Sequence, residues 1–177
     1  MEVIGYQTLE NRDNIDAIEL EGPYDCSHKG SWLGTGAYFW DSKIKWAHEW
    51  GYIGYQNRGK DYVIAQTQLN LEHECFDLFG SVNCQETLME CIEVMKQSGK
   101  IKNAKQAVIP NLIEFMKNNG IFNYSSIRAA DMYRGIMRLK FRGDREEYSI
   151  IGQRVQICVI KRKDVILQPL KVVFPEN

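Results

Sequence analysis

The chain has 177 residues, of which 44% are hydrophobic and 25% charged, a composition that excludes intrinsic disorder and fits one globular domain over residues 1–177. Its formal net charge of -1 excludes a strongly basic module dedicated to nucleic-acid binding, although a local basic patch stays compatible with it. The 5 cysteines are odd in number and form no CxxC pair, so they indicate reduced thiols rather than a disulfide framework or a zinc site.

The amino-terminal half predicts short elements of secondary structure around one long loop. In chain order these are a strand at residues 2–8, a helical turn at 14–21, a strand at 37–40 and a helix at 41–51. The helix has Asp41 or Ser42 as its expected N-cap and Gly51 as its expected end. Residues 22–36 are rich in glycine and predict a loop, and a loop of this length in a compact domain is usually functional.

The carboxy-terminal half predicts helices followed by strands. Residues 62–71 alternate between apolar and polar side chains and give the clearest strand pattern in the sequence. Pro110 lies inside the second helix of this half and predicts a kink or a shifted start there. The other predicted elements are helices at residues 85–97 and 104–118 and strands at 132–141, 155–160 and 165–174. Strands at both ends with helices between them predict an α+β fold rather than a parallel βαβ sheet.

Residues 32–51 carry the densest pattern of functional signals. A glycine pair frames a turn and lets the backbone approach a ligand closely, so Gly36 is a candidate cofactor contact. Tyr38 follows on a strand and Trp50 lies on the next helix, and two such rings can stack on a flat cationic ring such as nicotinamide. The alternative is a core strand packed on an amphipathic helix, with Trp46 and Trp50 as core residues.

The segment 32–51 reads WLGTGAYFWDSKIKWAHEWG. This pattern resembles the G-x-G-x-Y-F strand and following helix of ADP-ribosyltransferases of the histidine-tyrosine-glutamate class, which includes the poly-ADP-ribose polymerases and diphtheria-like toxins. It is more similar still to a bacterial group with WLGHGIYFWE and ALEWA, in which a GFHG strand comes first and an IQICV strand near the end. This chain has GYQT at residues 5–8 and VQICV at 155–159. The resemblance implies split antiparallel β-sheets with flanking helices around a cleft that binds NAD as a substrate, without a metal.

The resemblance also implies roles for individual residues. Gln7 occupies the position of the histidine that hydrogen-bonds the ribose of NAD, and Thr8 that of a small residue whose backbone meets the nicotinamide amide. Tyr38 corresponds to the stacking tyrosine, and Trp50 lies about where a second stacking aromatic is found. Gln156 occupies the position of the catalytic glutamate, which holds a ribose hydroxyl and stabilises the oxocarbenium-like transition state.

Gln7 and Gln156 depart from the histidine and glutamate of the class. The Gln7 amide still donates and accepts hydrogen bonds, so NAD binding is compatible with it. Gln156 carries no charge, and losing a charge aimed at a developing cation costs on the order of a few kcal/mol of transition-state stabilisation. The similar bacterial group also has glutamine here. The alternative is a module that keeps the fold and binds NAD, ADP-ribose or a nucleic-acid end without turnover.

Three further features each have a plain alternative. Arg128 in YSSIRAAD resembles the arginine of YDSVRG in the same bacterial group and can pair with the pyrophosphate of NAD or a target phosphate; otherwise it is a solvated surface arginine. Glu146 and Glu147 can offer a carboxylate from a target-recognition loop, or they belong to a charged hairpin. No zinc motif links the histidines, which are His28, His48 and His73.

These features together predict an NAD-dependent ADP-ribosyltransferase. By analogy with small bacterial proteins of this class, we expect a toxin or anti-phage effector that modifies a protein or nucleic-acid target. Such an enzyme needs a neutralising partner, an antitoxin, which can cover residues 22–36. The amino terminus lacks a signal-peptide pattern and no apolar run approaches roughly 18 residues, so we expect a cytoplasmic protein without membrane contact. An interaction protein with no ligand is the remaining alternative.

Overall fold

The computed structural model describes residues 1–27, 30–72, 74–131 and 135–175. Its strands are β1 (Glu2–Glu10), β2 (Asp25–Cys26), β3 (Gly36–Asp41), β4 (Tyr62–Asn70), β5 (Cys75–Asp77), β6 (Ser126–Asp131), β7 (Met137–Lys140), β8 (Tyr148–Ile151), β9 (Arg154–Val159) and β10 (Lys171–Phe174). Its α-helices are α1 (Ile15–Glu21), α2 (Ile44–Gly54), α3 (Val82–Gln97), α4 (Ile109–Asn118) and α5 (Arg162–Val165). Short 3₁₀ turns lie at Gln56–Arg58 and Ala104–Gln106. The fold is α+β, as the sequence predicts.

Within the described residues, most strands join one 8-stranded sheet in the order β10-β4-β1-β3-β9-β6-β5, with β2 paired to β3. Neighbouring strands run antiparallel except β5 and β6, which are parallel. Strands β7 and β8 form a separate hairpin between β6 and β9. The expectation of two split antiparallel sheets is therefore corrected: the sheet is continuous and mixed, because β1 and β3 are still hydrogen-bonded at one end.

The connection between β1 and β3 is narrow. In the described chain the two strands pair at Gly5 with Asp41 and at Tyr6 with Trp40. Gly5 is required at this crossing because a Cβ there would lie 2.6 Å from the Leu69 side chain. Beyond it, β1 continues to its end paired with β4, while β3 pairs with β2 and β9. A gap therefore opens between the two halves of the sheet, and this gap holds the cavity described below.

Alternation along the central strands separates two apolar layers. On one face, Ala37 and Phe39 of β3 join Ile157 of β9 in a fully buried cluster. On the other face, Cys158 packs with residues of α3 and α4, and the partly buried Tyr38 contacts this cluster. Because side chains of a strand alternate between faces, residues two apart on β3 and β9 share the face that carries the cavity.

Helix α2 begins and ends differently from the prediction. Its N-cap is Lys43, which makes no side-chain capping bond, whereas Ser42 has a φ of 57° and Asp41 accepts hydrogen bonds from Arg128 and Ser42. Gly51 lies inside the helix, where a Cβ would come 2.4 Å from the Tyr62 ring. The glycine is thus needed for close packing and does not stop the helix.

The other predicted elements are mostly confirmed, with three corrections. Pro110 lies in the first turn of α4, so the shifted start is correct and the kink is not. The strand predicted at 165–174 is wrong in its first part, because α5 ends at Val165 and β10 begins at Lys171. The strand predicted at 132–141 is shorter, and residues 132–134 lie outside the described residues. Strands β2, β5, β6 and β8 were not predicted from the sequence, and β2 lies within the predicted loop at 22–36. Among the helices that the structure describes, none has both the length and the apolarity to cross a membrane.

Candidate functional site

A cavity of about 650 Å³ lies in the gap between β1 and β3. Its walls come from β1, β3, β9, α2 and the described parts of the loop at 22–36. Five residues selected from the sequence line it, and these are Gln7, Thr8, Tyr38, Trp50 and Gln156. Residues separated by up to about 150 positions in sequence are thus brought to one concave site.

Tyr38 forms a rigid aromatic wall of the cavity. Its hydroxyl accepts a hydrogen bond from the Leu33 backbone N–H at 2.8 Å and donates one to the Gly34 carbonyl at 2.7 Å. Burial raises the pKa of the Tyr38 hydroxyl, so it stays protonated and keeps both bonds at neutral pH. The tyrosine therefore holds the turn before β3 with its hydroxyl while its ring borders the cavity.

Trp46 and Trp50 lie one turn apart on α2 but have different environments. Trp46 is 7% exposed and packs in a core cluster with Trp40, Ala47, Tyr62 and Ile64. Trp50 is 44% exposed and lines the cavity. The core interpretation is therefore correct for Trp46, whereas Trp50 is exposed and lines the same cavity as Tyr38.

Gln7 and Thr8 connect β1 to the elements that surround the cavity. The buried Gln7 amide donates from Nε2 to the Tyr24 carbonyl at 2.8 Å, and its Oε1 accepts from the Tyr24 backbone N–H at 3.1 Å. Thr8 donates from Oγ1 to the Ala47 carbonyl of α2 at 2.9 Å. These side chains fix the loop and the helix against β1, so they shape the cavity even without a ligand.

Gln156 lies at the centre of the site. It stands opposite Trp40 of β3 and Ala129 of β6 in the sheet register. Its Oε1 accepts a hydrogen bond of 2.6 Å from the indole Nε1 of Trp32, which also lines the cavity. The Gln156 amide thus lines the cavity, where a tryptophan from the loop holds it.

Asp131 and Arg154 also line the cavity, and the sequence analysis did not select them. Arg154 donates two hydrogen bonds to the Asp131 carboxylate, at 3.0 and 2.5 Å, and its guanidinium lies 5.7 Å from the centroid of the Trp40 ring. One signal was available: Arg154 precedes Gln156 by two residues, so both must face the same side of β9. Trp40 follows Tyr38 by two residues and could have been found in the same way.

Arg128 is not in the cavity. It stands opposite Ile157, on the other face of the sheet, and its guanidinium binds Asp41 at 2.7 Å and Asp77 at 3.1 Å. Burial acts to lower the pKa of Arg128, but the two carboxylates outweigh it and raise the pKa above its ordinary value. Both sequence interpretations of Arg128, a phosphate ligand and a solvated surface residue, are replaced by a saturated ion-pair cluster.

Gly36 is close to the site but does not line it. A Cβ at this position would lie 2.5 Å from the Val159 carbonyl oxygen and 2.7 Å from the Cys158 sulfur. The absence of a side chain is therefore required by packing between β3 and β9, and the predicted ligand contact of Gly36 is corrected to a packing role. Cys158 itself is buried, and burial raises its pKa to about 12, which leaves an unreactive thiol.

Three further candidates, Glu146, Glu147 and His48, do not line the cavity. Glu146 and Glu147 belong to the turn between β7 and β8, where Glu146 pairs with Lys140 at 2.9 Å, as in the charged-hairpin alternative. His48 contacts the Tyr62 hydroxyl at 3.0 Å and the Phe174 ring. His28 and His73 lie outside the described residues. Among the residues that the structure does describe, no group of three or more histidine, cysteine or acidic side chains could hold a metal.

The lining of the cavity is rich in aromatic side chains and carries little charge. Its aromatic residues are Tyr24, Trp32, Tyr38, Phe39, Trp40, Trp50 and Tyr55. Its ionisable groups, within the described part of the chain, include the carboxylates of Asp25 and Asp131 and the guanidinium of Arg154. Such a lining suits a flat ring, and a cationic ring above all, because the faces of aromatic rings attract positive charge.

Comparison of the chain with protein-family models, with curated proteins and with solved structures finds no match.

Proposed function

We propose that the chain is an NAD-dependent ADP-ribosyltransferase that binds NAD in the cavity between β1 and β3. The observation that carries this proposal is the convergence on one cavity of Gln7, Thr8, Tyr38, Trp50 and Gln156. They were selected from three separate parts of the sequence, and nothing in their spacing requires them to meet. The cavity volume of about 650 Å³ also lies within the usual range for small-molecule sites.

In this proposal the nicotinamide ring stacks on Tyr38, with Trp50 opposite it. The aromatic faces favour the positively charged form of the ring, and the backbone near Thr8 binds its amide. Departure of nicotinamide leaves positive charge on the ribose, and a target nucleophile then attacks the anomeric carbon. Gln156, oriented by its 2.6 Å bond to Trp32, positions a ribose hydroxyl for this step.

The biological role that accompanies this chemistry is that of a toxin or anti-phage effector acting on a protein or nucleic acid, in the cytoplasm and under the control of a neutralising partner. This part of the proposal is an analogy with similar bacterial proteins. Labelled NAD, incubated with the protein and cell lysate, tests it: label removed by nuclease indicates a nucleic-acid target, and label removed by protease indicates a protein.

A second candidate is a module that binds NAD or ADP-ribose without turnover. Two contacts favour it: the Gln7 amide is already bonded at both ends to Tyr24, and Gln156 Oε1 is bonded to Trp32. The Gln7 amide, which replaces the histidine of the class, is thus satisfied within the protein, and the carbonyl oxygen of Gln156, which replaces the glutamate, already has a partner. A cavity stabilised in this way can bind a ligand without contributing a charged group to its chemistry.

Free nicotinamide, measured beside calorimetric titration with NAD, separates the two candidates. The transferase releases nicotinamide, and Tyr38→Ala lowers its rate at subsaturating NAD by up to about thirtyfold, because a cation–π contact in a desolvated site contributes up to roughly 2 kcal/mol. Tyr38→Phe is the matched control: it keeps the ring and removes the two hydroxyl bonds to the turn at Leu33 and Gly34. It should retain most of the activity.

Two results would contradict this proposal, the first in its binding mode and the second in its activity. Tyr38→Ala with the same rate of nicotinamide release as the wild type would remove the stacking site from the mechanism. Tight NAD binding without any release, in the presence of cell extract as a source of targets, would favour the binding module.

A further inference from the structure

The Asp131 carboxylate and the Gln156 amide are neighbours on the cavity face of the sheet. Asp131 of β6 pairs in register with Arg154, and Ala129 of β6 pairs with Gln156. Residues 129 and 131 share one face of β6, and residues 154 and 156 share one face of β9. Both Asp131 and Gln156 line the cavity, and they are diagonal neighbours on adjacent strands, two register positions apart.

We propose that Asp131 is the carboxylate that stabilises the ribosyl cation in this site, the function that the neutral Gln156 cannot supply. The inference rests on the proposed transferase activity and adds a catalytic residue to it. An oxocarbenium-like transition state gains most from a fixed negative charge nearby, and an amide dipole gives less.

Asp131 suits this role better than the other carboxylate of the cavity lining in the described chain, Asp25. The Asp25 side chain is about half exposed and pairs with the exposed Arg162 at 2.8 Å. Asp131 is 32% exposed and is held by two hydrogen bonds from Arg154. A carboxylate with bidentate contacts keeps one orientation, so little reorganisation is needed when charge develops beside it.

The hydrogen bonds from Arg154 use only part of the acceptor capacity of the Asp131 carboxylate. Its two oxygens offer about four lone-pair positions, and Arg154 occupies two of them. The others can accept a hydrogen bond from a ribose hydroxyl. The planar guanidinium of Arg154 also suits the pyrophosphate of NAD. The same ion pair can therefore contact the ribose at the bond to be broken, through Asp131, and the neighbouring phosphates, through Arg154.

The step that Asp131 assists needs no oxidant or reductant. The bond between the ribose C1′ and the nicotinamide nitrogen breaks, and its electron pair leaves on nicotinamide, which departs as a neutral molecule. The ribosyl cation is captured by a hydroxyl or amine of the target, or by water when no target is present. The proton lost by the nucleophile passes to the Asp131 carboxylate and from there to solvent.

The test measures kcat and KM for nicotinamide release in Asp131→Asn. We expect kcat to fall about a hundredfold, on the scale of a single electrostatic contribution, with KM for NAD changed less than about threefold, because an amide retains the shape of the side chain. Adding Gln156→Glu to this variant should restore part of kcat, because it returns a carboxylate to the neighbouring position. Asp144→Asn is the matched control, since Asp144 forms a similar two-bond pair with Arg142 on the exposed hairpin.

The variant Arg154→Gln distinguishes a purely structural role of the ion pair from a catalytic role of Asp131, because it removes the pair but keeps the Asp131 charge. The proposal expects this variant to retain kcat within about tenfold and to lose affinity for NAD. Equal losses of kcat in Arg154→Gln and Asp131→Asn would overturn the proposal. If Asp131→Asn melts below the assay temperature, the double variant Asp131→Asn/Arg154→Gln, which has a neutral pair, replaces it with the same expected loss.

Nicotinamide release by the wild type distinguishes a failure of this inference from a failure of the proposed function. A wild type that releases nicotinamide beside an Asp131→Asn variant of equal kcat overturns the role of Asp131 and leaves the transferase intact. A wild type that binds NAD and releases none, with or without lysate, overturns both.

Discussion

Two clusters of arginine and aspartate side chains lie on opposite faces of the same sheet, and they differ in burial and in what surrounds them. Arg128 is 12% exposed and binds two carboxylates, Asp41 and Asp77. Arg154 is 22% exposed and binds Asp131 at the wall of an open cavity. The first guanidinium is enclosed between two carboxylates inside the fold, whereas the second borders the cavity. Similar residue types thus form a buried ion-pair cluster on one face and part of a cavity wall on the other.

The alternation of side chains along β6, which we call strand parity, decides which of the two clusters lines the cavity. Arg128 and Asp131 are both on β6, three residues apart, so they must face opposite sides of the sheet. Asp131 and Gln156 face the cavity, and Arg128 therefore faces the core formed by Ile157 and its neighbours. An assignment made from residue type, without the parity of the strand, selects an arginine that does not line the cavity.

The largest effect is expected at the buried cluster. Arg128→Ala leaves the carboxylates of Asp41 and Asp77 without their cation, and breaking such a buried pair costs about 3–5 kcal/mol of unfolding free energy. Chemical denaturation followed by far-UV circular dichroism measures it. Arg142→Ala is the control, because its pair with Asp144 is exposed and should contribute less than about 1 kcal/mol. A loss in Arg128→Ala no greater than in this control would refute the structural role of the cluster.

A smaller effect, on ligand binding more than on stability, is expected for a substitution on the cavity face. Trp50→Ala should lower the unfolding free energy less than Arg128→Ala does, since the side chain is 44% exposed and lies outside the core cluster of Trp46. It should weaken NAD binding by about 1 kcal/mol, a roughly fivefold increase in Kd, because one stacking partner is lost. Isothermal titration calorimetry measures this. Tyr52→Ala is the matched control on the same helix, exposed and not part of the cavity lining; equal Kd values for the two variants would contradict stacking by Trp50.

Much of the fold could be predicted from local sequence. The alternation that ends at Asn70 is β4, and the periodic apolar positions of α3 are buried at Cys91 and Met95, as expected from strand and helix periods. The glycine-rich turn before Tyr38 was also identifiable, because glycine and its neighbours carry their own conformational signal. Each of these features depends on residues close together in the chain.

The errors involve partners that are distant in sequence. Asp41 reads as a helix cap because serine and lysine follow it, yet it binds Arg128, which is 87 positions away. Gly51 reads as a helix end, yet Tyr62 of β4 requires the glycine. The resemblance gave the order of the segments that form the candidate site. It did not indicate Asp131, because that residue faces the cavity only through the pairing of β6 with β9.

A crystal structure of the protein with an NAD analogue whose glycosidic bond cannot break gives the sharpest test of the nicotinamide position. We expect the pyridinium ring between Tyr38 and Trp50, with a ribose hydroxyl within hydrogen-bond distance of Gln156 or Asp131. An analogue bound elsewhere on the molecule, or a cavity that remains free of it at saturating concentration, would contradict the account.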